Sequence, residues 1–516
     1  MVDAAGVQWA RFVGTWRVSP RSGALGEQGA HTGRRCDPVR AVATEKPPDG
    51  RNPALMADVV ARPAAHEPDG VSEGRRPGTG DDARPVGRLR GALHHWYARP
   101  KAFVVGVLAI YFLARLFSAI VLTIVGTWQQ DVTWITSEEH GYFRMTVLWD
   151  AFWYRQIVED GYPAVMPQDP DSGRLWQNPW AFYPLFPYLT KFLMQLTGGG
   201  FAVVGSTLSL LVGAAAAVLI AILLRDRVGP RIAVAGVTLW ATFMATPVLQ
   251  VAYTESIATF LLCGVLYFLA RQRWLAAGAV ALLTGIARPI ALPLGFVGVV
   301  CVFFRWRNRA KCPVSVGEWV RMFTALVCCG LSGLMWPALA WLGTGVPTAY
   351  TDTMAAWRAV PEIQPFQPWW NLFRWMIGAT VGGGPVVAAL ALALLVVVTF
   401  GLVLGPWARA LGPELRAWSF GYSLYLFASL DPSTSIFRYM IMQFPLAVVL
   451  LGAGWRPPRP IPGVDAPEGP GGSTVADVHD RRLWWVLAAG VVLNLVLQYW
   501  WVDVIWHFTP PADTPP

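Results

Sequence analysis

Apolar runs of about twenty residues recur along the chain and limit the folds that it can adopt. Residues 202–224 and 385–404 are two such runs, and each is long enough as a helix to cross a hydrocarbon core about 30 Å thick. The whole chain is 54% hydrophobic and 14% charged, whereas soluble domains carry about 25% charged residues. The sequence therefore predicts an all-α polytopic membrane protein.

Positive charge lies in short clusters beside the apolar runs rather than over a broad surface. The net charge is +9, and such clusters are typical of cytoplasmic loops. This distribution argues against a nucleic-acid-binding surface. The clusters are Arg225 with Arg227, Arg271 with Arg273, Arg305 to Lys311, and Arg481 with Arg482.

Keeping every basic cluster on the cytoplasmic side predicts about eleven transmembrane helices and a cytoplasmic N-terminus. The sixth span is expected to meet the fifth near Arg288 and Pro289, toward the outer side. The predicted spans are 103–125, 202–224, 231–249, 254–270, the two short spans, 319–342, one returning to Arg409, one ending near Asp431, 437–454 and 483–506.

The chain divides into four predicted regions. Residues 1–100 lack apolar periodicity and predict a disordered cytoplasmic tail. Residues 101–455 form the main transmembrane region, with a long outer loop at 126–200. A cytoplasmic linker rich in proline and glycine follows at 456–482. The last region, 483–516, holds the final span and a short outer tail.

The outer loop contains the stretch WDAFWYRQIVEDGYP, residues 149–163. It is too short and too acidic to span, and it predicts an amphipathic helix lying on the outer membrane surface. An aromatic belt with incidental acids is the alternative. Further along, 178–196 contains three prolines and predicts a second surface or re-entrant helix. The first stretch has an apolar stripe at helical spacing, Trp149, Phe152, Trp153 and Ile157, flanked by Asp150 and Tyr154.

Three further charged residues lie where charge is costly. Glu255 follows the turn between two spans, and an ionisable group at membrane depth is a functional candidate; helix capping by Thr254 is the alternative. Arg288 and Arg438 lie toward the outer side, against the positive-inside pattern. Binding a lipid phosphate would explain them, because a guanidinium matches phosphate oxygens. Snorkelling to the headgroups is the alternative.

The pair formed by Asp169 and Asp171 resembles the metal-binding acids of nucleotide-sugar enzymes. That role would need a nucleotide-binding α/β domain, and no soluble segment is large enough. The seven histidines form no metal-ligand spacing. We therefore expect no metal and no cofactor, and the activated donor of a transferase would have to be dissolved in the membrane.

Four motifs together resemble the PIG-V-type mannosyltransferases, a family within the GT-C superfamily of polytopic glycosyltransferases. They are LWDAFWYRQIVEDGYP, FYPLFPYL, YTES and FRYMIMQFP. The resemblance covers about residues 100–506. The composition, rich in Ala, Gly, Pro and Arg, is similar to that of actinobacterial members.

The resemblance implies a GT-C-like bundle and inverting transfer of mannose from a polyprenyl-phosphate donor. The acceptor would be a glycolipid or cell-envelope component on the extracytoplasmic face of a bacterial plasma membrane, or the endoplasmic reticulum membrane in a eukaryote. The acid of the first outer loop maps onto Asp150, the expected general base. Arg438 and Arg288 are expected to bind the donor phosphate. The expected pocket residues are Trp149, Tyr154, Tyr162, Glu255 and Tyr439.

Two other functions fit a chain with many spans. A transporter or lipid flippase would explain buried charges, but it predicts internal repeats and helices interrupted near the midplane. A non-catalytic scaffold would not explain an acidic outer loop next to lipid.

Overall fold

The structure, a computed structural model, describes residues 100–131, 141–171, 173–358, 362–430, 432, 434–452 and 481–509. Regular structure in these ranges is helical, apart from one isolated antiparallel bridge between Gln168 and Leu175. The prediction of an all-α protein is confirmed. Nearly all of the predicted tail and linker lies at 1–99 and 453–480, outside the described residues.

Helices of very different lengths follow one another along the described part of the chain. They are α1 Pro100–Gly126, α2 Gly141–Met145, α3 Asp150–Asp160, α4 Leu185–Thr197, α5 Phe201–Val228, α6 Pro230–Ala241, α7 Glu255–Ala270, α8 Trp274–Thr284, α9 Ala291–Arg307, α10 Val316–Thr344, α11 Ala349–Ala356, α12 Gln367–Val381, α13 Pro385–Leu404, α14 Gly412–Ser429, α15 Ile436–Tyr439, α16 Pro445–Leu450 and α17 Arg481–Trp501.

Five of the described helices are long and apolar enough to cross a membrane, judged by length and composition. They coincide with predicted spans in the first, second, seventh, eighth and last positions. The total of about eleven spans stays a prediction, because the other apolar segments are shorter or broken. The five are Pro100–Gly126, Phe201–Val228, Val316–Thr344, Pro385–Leu404 and Leu483–Trp506.

The third predicted span, 231–249, does not run as one helix. It stops at Ala241, and the next regular element is the short 3-10 helix Thr246–Gln250. Pro247 lacks an N–H and opposes a continuous helix. The carbonyl groups freed by the break accept hydrogen bonds from Arg115, which bonds Ala241 O at 2.6 Å and also Thr246 O. An interruption inside lipid is tolerated only when such partners exist.

The tenth predicted span, 437–454, is also broken. Short helical pieces replace it, and Pro445 starts the last of them. Two indole N–H groups satisfy carbonyls in the break: Trp240 donates to Ile441 O at 2.9 Å, and Trp418 donates to Met442 O at 2.8 Å. The break leaves the short helix α15, with its arginine, beside the start of α7.

A break between two helices lies near Arg288 as predicted, since α8 ends before it and α9 begins after it. That the two helices are spans meeting toward the outer side stays a prediction. Gly285, at the end of α8, lies against the backbone of α10. A Cβ atom at this position would lie 2.3 Å from Ser332 O, so only glycine permits this close approach.

The predicted amphipathic helix is present as α3, but its buried face differs from the predicted stripe. Phe152 and Trp153 are half-buried, whereas Tyr154 is buried. Tyr154 packs edge-on against Phe182 and Phe186, with ring centroids 5.3 and 5.2 Å away. Contact with the segment before and within α4 therefore selects the buried face. Its position on the outer membrane surface stays a prediction.

The threading predicts that the C-terminal end of α3 and the turn after α7 lie on opposite sides of the membrane. Asp160 and Arg273 are exposed at these two places. In intact cells, a membrane-impermeant maleimide should label Asp160→Cys, and it should label Arg273→Cys only after permeabilisation. The unsubstituted protein, with its six cysteines, gives the background. Labelling of both positions from one side would contradict the threading.

Candidate active site

Four charged side chains from distant parts of the sequence meet beside the first residues of α3 and α7. Arg438 Nη1 lies 2.8 Å from Asp150 Oδ2 and 3.2 Å from Glu255 Oε1. Arg288 Nη1 lies 2.9 Å from the same Glu255 oxygen. Negative and positive groups therefore alternate in one row, Asp150, Arg438, Glu255 and Arg288, which we call the charge chain.

The charge chain is mostly buried. The side chain of Asp150 is 20% exposed and that of Arg438 5%, while those of Arg288 and Glu255 are 11% and 1% exposed. Buried charges are tolerated when they are paired, as these are. Asp150 is the most accessible member, and Arg438 binds one oxygen of its carboxylate, Oδ2. Of the four side chains, that of Asp150 is therefore the most accessible to a bound molecule.

Thr254 does not cap α7, so the alternative interpretation of this segment is wrong. Its side chain makes no capping hydrogen bond. Its hydroxyl oxygen instead lies 3.2 Å from Arg288 Nη1 and 3.4 Å from the hydroxyl of Tyr154. Snorkelling does not describe the arginines either, because both are bound to carboxylates inside the protein. Both acids lie in the first turn of a helix, where the helix dipole favours negative charge.

Tyr253 is a site residue that the sequence analysis missed. The backbone N–H of Asp150 donates to its hydroxyl at 3.0 Å, and this hydroxyl lies 3.3 Å from Leu148 O. Its ring faces Arg438: the Cζ atom of Arg438 lies 5.1 Å from the centroid of the Tyr253 ring, a cation–π distance. Tyr253 lies in the quoted motif YTES, but nothing local separates it from the other tyrosines of the chain.

Trp149 holds the backbone that leads into Asp150. Its φ is 57° and its ψ is −121°, a conformation that costs a residue with a side chain of order 1–3 kcal/mol. The indole N–H donates to Trp506 O at 2.6 Å, and the ring lies edge-on to Phe508 at 5.3 Å. Packing against the C-terminal segment therefore stabilises the strained turn. Trp149 was expected in the pocket, and the structure gives it this supporting position.

Tyr439 and Tyr154, two predicted pocket residues, lie beside the charge chain. The ring centroid of Tyr439 is 4.9 Å from Arg288 Cζ and 5.7 Å from Arg438 Cζ. The hydroxyl of Tyr154 reaches the charge chain through Thr254. Burial raises the pKa of Tyr154 above its ordinary value, and the charge of Asp150 raises it further. Tyr154 is therefore a neutral phenol.

Tyr162 is not brought to the charge chain by any described contact. It stacks on Trp180 with ring centroids 4.6 Å apart, and its hydroxyl donates to Phe182 O at 2.8 Å. Trp336 lies on the same cluster, 5.0 Å from the Tyr162 ring. The predicted pocket residue thus belongs to an aromatic cluster between the outer loop and α10.

The acid pair Asp169 and Asp171 forms a local turn. The backbone N–H of Asp171 donates to Asp169 Oδ1 at 2.9 Å. Among the described residues, no group of three His, Cys, Asp or Glu side chains could hold a metal ion.

Comparison with known proteins gives a structural similarity only. No model of a protein family matches the sequence, and no curated protein matches it. Among solved structures, the oligosaccharyltransferase of Archaeoglobus fulgidus in complex with zinc and sulfate is similar, with a TM-score of 0.39 and 14% identity over 78% of this chain and 54% of that chain. The same enzyme tethered to an acceptor peptide with an NVT sequon has the same TM-score and identity over 77% and 55%. The chain spans about half the length of these structures.

Arg438→Gln should destabilise the protein strongly, because Asp150 and Glu255 lose their shared cation. Breaking a buried pair costs about 3–5 kcal/mol. Arg225→Gln is the control, because its ion pair with Asp226 has side chains 35% and 34% exposed and contributes about 1 kcal/mol or less. Thermal unfolding midpoints in detergent micelles measure both. Equal midpoints would contradict a structural role for the charge chain.

Trp149→Ala should be less stable than Trp149→Gly, the reverse of the usual order in regular structure. Both variants lose the indole, but alanine keeps the strain of a φ of 57° while glycine relieves it. We expect a difference of about 1 kcal/mol or more in the same unfolding measurement. If alanine were the more stable residue, the backbone at this turn would not be strained.

Proposed function

We propose that the protein is a membrane glycosyltransferase. It transfers mannose, with inversion, from a polyprenyl-phosphate-mannose donor to a lipid-linked or cell-envelope acceptor on the extracytoplasmic face of a bacterial plasma membrane. The donor brings its own leaving group in the membrane. The site therefore needs a proton acceptor and a cation for the phosphate, rather than a resident cofactor.

The observation that carries the proposal is the charge chain itself. It joins a partly exposed carboxylate, Asp150, to two guanidinium groups, which are the groups that this reaction needs. Both acids and Arg438 come from the motifs of the family resemblance, and Arg288 joins them through its contact with Glu255. The 2.8 Å contact of Arg438 with Asp150 fixes the position of the carboxylate relative to the cations.

In the proposed step the acceptor hydroxyl attacks the anomeric carbon from the face opposite the phosphate. The new C–O bond forms as the bond to the phosphate oxygen breaks, and the electron pair of that bond leaves with the phosphate. Asp150 takes the hydroxyl proton as general base. The lipid phosphate leaves with one more negative charge, which a guanidinium stabilises.

The two arginines have different positions relative to Asp150. Arg438 binds the carboxylate directly, whereas Arg288 contacts Glu255 and Thr254. Inversion needs the base and the leaving group on opposite faces of the sugar. Arg288, farther along the charge chain from the base, is therefore the better phosphate ligand, and Arg438 both orients Asp150 and adds positive charge to the site.

Neighbouring aromatic side chains would complete the pocket. Tyr439, whose ring lies near both guanidinium groups, and Tyr154, a neutral phenol beside Thr254, would contact the sugar. Tyr253 would act through Asp150, since it holds the backbone N–H of that residue.

Transport of a lipid-linked molecule is the second candidate. The interrupted helices near Thr246 and Met440 favour it, because transporters use broken helices at their binding sites. In this protein the freed carbonyls in both breaks bind protein side chains, which favours a structural role for the breaks.

Asp150→Asn should strongly reduce sugar transfer, and the unfolding midpoint of the variant checks that it still folds after losing its ion pair with Arg438. The amide keeps the size of the carboxylate but cannot accept the proton, so we expect a loss of about 10²–10⁴-fold. Purified protein is given radiolabelled polyprenyl-phosphate mannose and a lipid extract, and labelled product is counted.

Asp160→Asn is the matched control, because this acid lies exposed at the other end of the same helix; it should retain transfer. Transfer that survives Asp150→Asn would remove Asp150 as the base. If the unsubstituted protein transfers sugar to no acceptor but moves the labelled lipid across vesicle membranes, the transport function is correct instead.

A further inference from the structure

Glu255 is almost fully buried and contacts both arginines of the charge chain. Its side chain is 1% exposed, and a single oxygen, Oε1, serves both arginines at 2.9 and 3.2 Å. Its other oxygen, Oε2, is buried without a hydrogen-bond partner among the described residues. The carboxylate therefore lies between the two guanidinium groups and offsets part of the charge of each.

The charge chain is electrically neutral when both of its acids are ionised. Arginine is always protonated in proteins, so the two cations of the charge chain are balanced by its two carboxylates when both are ionised. A bound ligand with one negative charge then gives the site one uncompensated negative charge, and a ligand with two negative charges gives it two. Uncompensated charge in a poorly solvated site is costly, and the cost grows with each charge.

We propose that Glu255 is a specificity residue that limits the donor to one phosphate group. A lipid phosphodiester of a sugar carries one negative charge, whereas the corresponding diphosphodiester carries two. With Glu255 ionised, the four side chains of the charge chain carry no net charge, so the second phosphate adds a further uncompensated negative charge to that of the first. The inference rests on the proposed function and assigns to Glu255 a role in choosing the donor, separate from the proton transfer at Asp150.

The charge of the site can be changed in both directions at nearly constant shape. Glu255→Gln gives one excess positive charge, and Arg288→Gln gives one excess negative charge. The double variant Glu255→Gln with Arg288→Gln restores the balance with both native groups absent. If charge sets the preference for one phosphate group, the preference of each variant should follow the net charge of the site. If shape sets it, the double variant should differ from the native protein.

Isothermal titration calorimetry measures the affinity of purified protein in detergent for each of two probes. The probes are short-chain prenyl-phosphoryl-mannose and prenyl-diphosphoryl-mannose with the same prenyl group. The native protein should prefer the phosphodiester at least about tenfold, which corresponds to about 1.4 kcal/mol. Both probes should bind more weakly to the two variants that lack Arg288, the proposed phosphate ligand, so the preference is taken as the ratio of the two affinities. This ratio should fall about tenfold or reverse in Glu255→Gln, increase in Arg288→Gln and return to the native value in the double variant.

Glu159→Gln is the matched control, because it removes an acid whose side chain is 54% exposed on α3, and it should keep the native preference. An unchanged preference in Glu255→Gln, or a double variant that differs from the native protein, would overturn the role of Glu255. If Glu255→Gln does not fold, Arg288→Gln and the double variant decide the question, since their preferences must differ. Binding of neither probe to the folded native protein would instead overturn the proposed function.

Discussion

The contacts of Arg438 hold the candidate site together. This side chain binds Asp150, which is 288 positions away in the sequence, and Glu255, which is 183 positions away. A buried guanidinium cannot give up its proton, so it requires nearby acids, and the acids in turn require it. Their mutual dependence fixes the starts of α3 and α7 against α15. Through Glu255 the same arrangement includes Arg288 and hence the junction of α8 and α9.

Interrupted helices make this arrangement possible inside an apolar protein. A continuous helix through 231–249 would bury its carbonyls within the helix, and the turn leading to Tyr253 and Glu255 could not take its present course. The break leaves carbonyl groups without partners in their own helix, and Arg115 binds them. The break before Pro445 is satisfied in the same way by two tryptophans. Side chains far from the site in sequence therefore maintain the helix ends that carry it.

The support around Asp150 combines strain with packing. Trp149 has an unfavourable backbone conformation, and its indole is held by the carbonyl of Trp506. Tyr253 binds the backbone N–H of Asp150 and faces the arginine that binds its carboxylate. Asp150 is thus fixed through both backbone and side chain. In the proposed reaction, this fixation would hold the proton acceptor at one position relative to the sugar.

Local sequence was enough to predict the helical class and the positions of the five long apolar helices, which follow from hydropathy. The cost of placing charge in apolar surroundings singled out Glu255 and the two arginines as candidates, whereas the role expected of Asp150 came from the family resemblance. Only the folded chain shows that Glu255 binds both arginines, that Tyr253 supports Asp150 and that Tyr162 lies in a separate aromatic cluster. The fold also selects which face of α3 is buried and where the third and tenth predicted spans break. Ion pairs, ring contacts and partners for free carbonyls depend on distance in space, and residues 183 or 288 positions apart carry no local signal of their meeting.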